Sequence, residues 1–285
     1  MKNETPVSKL KESQRERASI IKITNAQKSQ IIAYIARHLC YGTELPETKR
    51  KAVWEFAEKM YSSIAKDKKL EKYSTAVAEI CKIPIQDVID ICKVPVLAVE
   101  TSITMLKDQR ADIEKTMVSF AKLLPVYDWW ISMRGRGAMG LAIIIGESGD
   151  LSNYSTPAKL WKRFGLAVID GVRQGGLPKG SAAEAWISHG YCKRRRSVLW
   201  TIGDSLMKTN GKDGFYKLLY NETKIKEAAK LLEKWIADGK EKETFKPLHS
   251  HRRAQRNMEK RLLRHLWNKW NGIEDTDFVN MKEAG

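Results

Sequence analysis

Arg134-Gly135-Arg136-Gly137 leads through Ala138 into the apolar run Met139-Gly140-Leu141-Ala142-Ile143-Ile144-Ile145. Two glycines spaced by one residue predict a tight turn whose backbone can approach another surface closely. The run behind them is long enough for a buried helix. Its N-terminus presents free N–H groups and a partial positive charge, a place that receives phosphate well. Arg134 and Arg136 bring full charges and planar donors to the same turn. This is the pattern of a helix-hairpin-helix element, which grips a phosphate backbone by shape and charge without reading bases. The plainer reading is a glycine-bounded loop before a core helix.

Working outward, almost every segment predicts helix, and the expected fold class is all-α. Asn25 is placed as an N-cap before Ile31, Ile32, Ile35 and Leu39, with Gly42 as the stop. Pro46 opens a second helix carrying Val53, Trp54, Phe56, Met60, Tyr61 and Ile64. The first twenty residues are mostly polar and are expected to be loose. Within 75–92, Ala78, Ile83, Val88 and Ile91 sit where a helix-turn-helix needs apolar side chains, with Lys82 at the turn. Asp87 and Asp90 would repel phosphates there, which favours a simple helical hairpin. Pro95 is expected to mark a break. Beyond it, Ile103, Leu106, Ile113, Met117, Phe120 and Leu124 follow a helical or heptad period. Residues 96–124 therefore form either a coiled-coil arm joining two copies as a homodimer or a long helix packed on its own domain.

Charge is uneven along the 285 residues, whose net is +17. Residues 1–130 hold 22 Lys and Arg against 17 Asp and Glu; 131–270 hold 28 against 13; 271–285 hold 1 against 4. The excess thus coincides with the glycine-arginine turn, as suits a polyanion such as DNA or RNA. A hydrophobic content of 42% and nine tryptophans argue for a packed chain. No apolar span reaches transmembrane length, no signal peptide is expected, Met1 to Gln30 being charged and polar, and Cys40, Cys81, Cys92 and Cys192 form no short metal pair. The expected location is cytoplasmic, with no membrane partner.

Four domains are expected: a helical region 1–95, a connecting helix 96–130, a basic domain 131–270 and an acidic tail 271–285. In the basic domain, Glu147-Ser148-Gly149-Asp150-Leu151 reads as a helix exit and capped re-entry, and Pro157 with Leu160-Trp161-Phe164 as a short helix. Residues 165–180 hold five glycines and Pro178, an irregular loop. Lys193, Arg194, Arg195 and Arg196 open the next helix. Along 252–270, Met258, Leu262, Leu263, Leu266, Trp267 and Trp270 make an apolar stripe while Arg252, Arg253, Arg256, Lys260, Arg261 and Arg264 crowd the other faces, with Glu259 as the balancing acid. These basic clusters and the turn are the candidate nucleic-acid contacts.

In order, Gly135-Arg136-Gly137, Glu147-Ser148-Gly149-Asp150-Leu151, Phe164-Gly165-Leu166, the arginine-rich helix 193–208 and Leu262-Leu263-Arg264-His265-Leu266-Trp267 resemble the C-terminal helical domain of the bridge-RNA-guided DEDD insertion-sequence transposases, over roughly residues 100–270. That resemblance implies DNA recombination and a mobile-element origin. It also implies an RNase H-like domain with Mg²⁺-binding carboxylates, whereas the first aspartate here is Asp67 and helices precede it. The family's nucleophilic serine falls where this chain has Gln174, which cannot form the phosphoester; Ser181 is the nearest hydroxyl. No catalytic residue, metal or cofactor is therefore assigned, and an active recombinase requires a partner or Ser181. Gly203-Asp204-Ser205-Leu206 spells an esterase tetrapeptide but lies in a helical pattern. His249 and His251 lack further metal-ligand partners, and Gly175 to Ser181 lacks the order of a phosphate loop. A structural helical oligomer is the remaining alternative.

Overall fold

In unit-forming order, the chain lays down α1 (Pro6–Cys40), α2 (Glu47–Ala65), α3 (Ile85–Ala121), α4 (Tyr127–Ser132), α5 (Ala138–Ser148), α6 (Pro157–Arg163), α7 (Ala183–His189), α8 (Lys193–Thr209), α9 (Phe215–Ala237) and α10 (Leu248–Trp270). The computed structural model describes residues 5–40, 44–68, 84–175, 177–178, 180–209, 211 and 214–274. Among these, the only strands are Val168–Ile169 and Val172–Arg173, an antiparallel ribbon pairing Val168 with Arg173 and Ile169 with Val172. The fold is all-α, as expected. The ribbon occupies the segment read as an irregular loop.

The chain divides into Arg15–Lys115 and a second unit that joins residues 1–14 to 116–285. Neither boundary falls at 95/96 or 130/131. Three local expectations fail. Asn25 lies inside α1 rather than capping it, and α1 starts at Pro6, so the N-terminal polar segment is helical. Leu10 is fully buried and Gln14 nearly so; a few apolar contacts on one face fix a segment whose composition reads as loose. Pro95 also breaks nothing, because α3 runs through it. Proline removes the hydrogen bond to the carbonyl four residues back, here that of Ile91, an exposed position where water can replace the lost donor.

In the Arg15–Lys115 unit, Ile31, Ile32, Ile35 and Leu39 of α1 pack with Val53, Phe56, Ala57, Met60 and Tyr61 of α2 and Val88, Cys92 and Val96 of α3. Away from this core the helices are tied by polar contacts. Arg17 Nε donates to Glu114 at 2.7 Å, and Gln27 Nε2 to Ser102 Oγ at 3.0 Å. Those pairs advance along α1 while retreating along α3, so the two helices are antiparallel. Tyr61 donates to Glu100. Of the helix-turn-helix reading, Ala78, Lys82 and Ile83 lie outside the described residues, as do Gly42 and Cys81; Val88 and Ile91 belong to the continuous α3.

The second unit is built around α5. Leu141, Ala142, Ile144 and Ile145 are all fully buried, as a helix apolar on every side requires. Gly149 ends α5 and Asp150 accepts from the Ser152 amide at 2.9 Å, the expected exit and capped re-entry. Helices α9 and α10 form the most extensive pair. Met258, Leu262, Leu263 and Leu266 of α10 are fully buried, at the predicted apolar positions. The indoles of Trp267 and Trp270 are anchored through Nε1 to Tyr154 O at 2.8 Å and Asp150 Oδ1 at 2.9 Å.

Candidate nucleic-acid interface

The glycine-arginine turn exists, but only part of it faces outward. Gly135 has φ +92°, a conformation open to glycine and strained for side chains with a Cβ. That bend turns Arg136 inward. Its side chain is 4% exposed, packed between the rings of Trp129, Trp130 and Tyr216 with guanidinium-to-centroid distances of 4.5, 4.9 and 5.9 Å. Nη2 donates to Trp129 O at 2.9 Å. Burial pulls the guanidinium down to about 10. Arg136 is therefore a cation in an aromatic cage rather than a phosphate ligand, contrary to the sequence expectation. Arg134 and Gly137 remain exposed at the start of α5, and Trp130 Nε1 donates to Gly137 O at 3.0 Å, fixing the turn.

The arginine run at the start of α8 is likewise committed inside the protein. Glu147, 4% exposed near the end of α5, receives Gln14 Nε2 at 2.8 Å, Arg194 Nη2 at 3.0 Å and Arg195 Nε at 3.2 Å. Arg163 donates twice to the Glu147 carbonyl. Arg196 meets Glu259 of α10 at 2.8 Å. Glu259 is fully buried, and burial pushes its carboxyl up to about 7 against the opposing pull of Arg196. Its approach needs Gly203 of α8, where an added Cβ would stand 2.9 Å from Glu259 Oε1. The run 193–196 is therefore not a plain outward-facing track: Arg194, Arg195 and Arg196 face buried carboxylates, the Arg194 side chain stays half exposed, and among the described residues Lys193 is exposed and makes no ion pair. Glu259, read as a counter-charge to the basic face of α10, pairs most closely with Arg196 of α8 and lies within electrostatic reach of Arg256 on its own helix.

On α10, Arg253, Arg256, Lys260 and Arg264 are spaced by three, four and four residues, which aligns them along one side of the helix. Their surroundings differ. Arg253 pairs with Glu227 at 2.8 Å in an exposed contact, the kind worth about 0–1 kcal/mol. Arg256 Nη2 spans Gly165 O and Ala167 O, both at 3.2 Å, tying α10 to the ribbon. Burial, then the charges of Arg196 and others, lowers its proton affinity. Lys260 Nζ lies 5.2 Å from the Trp161 ring centroid, and burial lowers its proton affinity as well. Arg252 and Arg264 are exposed, and Arg261 is half-buried beside the stripe.

Gln174 is 3% exposed and every part of its amide is used. Its oxygen accepts from the Ala167 amide at 3.0 Å, while Nε2 donates to Lys162 O at 3.1 Å and His189 O at 2.6 Å. At this position the side chain is a staple joining α6, the ribbon and the end of α7. Ser181 Oγ donates to Pro178 O at 2.9 Å. Ser205 sits within α8 and reaches Gly135 O at 3.3 Å, so the esterase-like tetrapeptide is helical. His251 Nδ1 lies 2.7 Å from Tyr220 Oη. Among the described residues, no group of three or more His, Cys, Asp or Glu is placed to hold a metal ion, and no helix is long and apolar enough to cross a membrane.

Two features escaped the sequence reading. Glu147 was legible as part of a motif, yet its role as an acceptor for two arginines was not; an isolated acid closing an apolar run is the signal. Trp161 and Trp267, read as apolar positions, are half-buried and border an open groove. Comparison of the chain with family models, with curated proteins and with solved structures finds no match.

Proposed function

We propose that the unit containing residues 116–285 binds nucleic acid through its phosphate backbone, chiefly along the outer side of α10. The observation that carries this reading is the stripe of Arg253, Arg256, Lys260 and Arg264, flanked by Arg252 and Arg261. The sole carboxylate of α10, Glu259, is fully buried, within electrostatic reach of Arg256 alone of the four. A row of cations on a rigid helix matches the spacing of a charged polymer better than it matches a small anion. Lys193, Arg134 and the exposed N-terminus of α5 at Gly137 extend the basic surface. Kinship with the insertion-sequence transposases rests on the order of motifs and is part of the same proposal. DNA and RNA share the contacted phosphates.

Fluorescence anisotropy across a salt series tests it, using duplex DNA, single-stranded DNA and structured RNA. Each engaged cation contributes on the order of 0.9 to the slope of log affinity against log salt on duplex DNA. Arg252→Ala/Arg253→Ala therefore lowers the slope by about two contacts and weakens binding. Affinity that stays flat between low and physiological salt overturns the proposal.

A further inference from the structure

Beside the α10 stripe lies an open groove of about 440 Å³, lined by Pro157, Trp161, Arg264, Trp267, Ile273 and Glu274 among others. That volume falls within the roughly 300–1,000 Å³ range of small-molecule clefts. Both indoles are fixed in orientation: Trp161 Nε1 donates to Lys260 O at 3.0 Å and Trp267 Nε1 to Tyr154 O at 2.8 Å. With their polar edges already bonded to backbone, what the rings offer a ligand is apolar surface. Lys260 covers Trp161 from one side, and Arg264 belongs both to the groove lining and to the cationic stripe.

We infer that this groove receives an unpaired nucleobase of a nucleic-acid strand whose phosphates run along α10. The inference rests on the backbone-binding reading and adds to it a preference for single-stranded segments. Rigid aromatic surface next to a line of cations is the combination that single-stranded nucleic acid uses, since every base has a π face and every nucleotide a phosphate. Paired bases stay stacked inside a duplex and cannot reach such a groove. Charge complementarity favours this occupant over an apolar side chain of a protein partner: Arg264 and Lys260 adjoin the groove, and among its lining residues Glu274 alone is acidic.

A thymidine 12-mer and a 12-mer of abasic sites carry equal charge and differ only in bases. The wild-type chain is expected to bind the thymidine strand about tenfold more tightly, within the range of a single base stacked on an aromatic ring. Trp161→Leu, checked for an unchanged Tm, is expected to abolish that difference while leaving salt-dependent binding of both strands. Equal wild-type affinity for the two strands overturns the inference, keeps the backbone-binding reading intact and leaves the groove to a protein side chain. A thymidine preference that survives in folded Trp161→Leu also overturns it. Failure of both strands to bind at low salt sinks both ideas together. The wild-type comparison needs no variant and so decides even if Trp161→Leu does not fold.

Discussion

Two arginine-rich stretches, 193–196 on α8 and 252–264 on α10, look equally suited to a polyanion in sequence, yet the structure uses them differently. The first is turned toward acids inside its own unit: Arg194 and Arg195 toward Glu147, Arg196 toward Glu259. The second is more open: Arg253 pairs with Glu227 at the surface, Arg256 ties α10 to the ribbon, and Arg252 and Arg264 are exposed. A run of like charge therefore says little about binding until the carboxylates within reach are known. Net charge over a region survives folding; the availability of a particular guanidinium does not.

The largest expected effect comes from breaking the internal assignment. Glu147→Ala removes the acceptor of Arg194, Arg195 and Gln14 and is expected to cost about 3–4 kcal/mol in denaturant unfolding. At a temperature where the variant stays folded, it releases two guanidiniums, and nucleic-acid affinity rises. An unchanged affinity would show that the 193–196 run does not face the ligand even when freed.

Arg136→Ala ranks next. It removes a hydrogen bond to Trp129 O and a caged cation, for an expected loss of about 2–3 kcal/mol. Because Arg136 is buried, affinity measured on folded protein is expected to change less than twofold, unlike Arg252→Ala/Arg253→Ala. A large affinity loss at unaltered stability would return Arg136 to the interface.

The smallest effect concerns Glu259. Its carboxyl is raised from 4.5 to about 7 by burial, so between those pH values the folded state holds a proton that the unfolded chain has released, and above them Glu259 faces Arg196 as a carboxylate. Its contribution to stability is therefore full below about pH 4.5 and is lost as pH rises through 7. Glu259→Gln, which does not titrate, is expected to lag wild type least near pH 8. The Tm difference should narrow by a few degrees between pH 5 and pH 8. A difference independent of pH would mean that Arg196 holds Glu259 ionised throughout.

The positions that were legible in the sequence are those where one local signal decides. Ile31, Ile32, Ile35 and Leu39 are buried as their spacing predicts, Pro46 and Pro157 stand at helix starts, and Asp150 caps the turn after Gly149. Where the signal depends on a distant partner, the reading failed. Pro95 is tolerated because the carbonyl it orphans lies on an exposed side of α3, and the polar start of α1 is ordered because Leu10 finds a core. In the candidate interface, Gly135 and Gly137 were read correctly as a turn, while the inward swing of Arg136 onto Trp129 and Trp130 is closed over by Tyr216, eighty residues later in the chain.

The sequence by itself determined an all-α chain with a strong positive excess in its C-terminal half, since helical periodicity and formal charge are properties of neighbours and of composition. Only the tertiary structure decided which cations remain outside. Glu147 on α5 and Glu259 on α10 are buried acids that need a counter-charge where they lie, and α8, which passes close to both, supplies the arginines that face them.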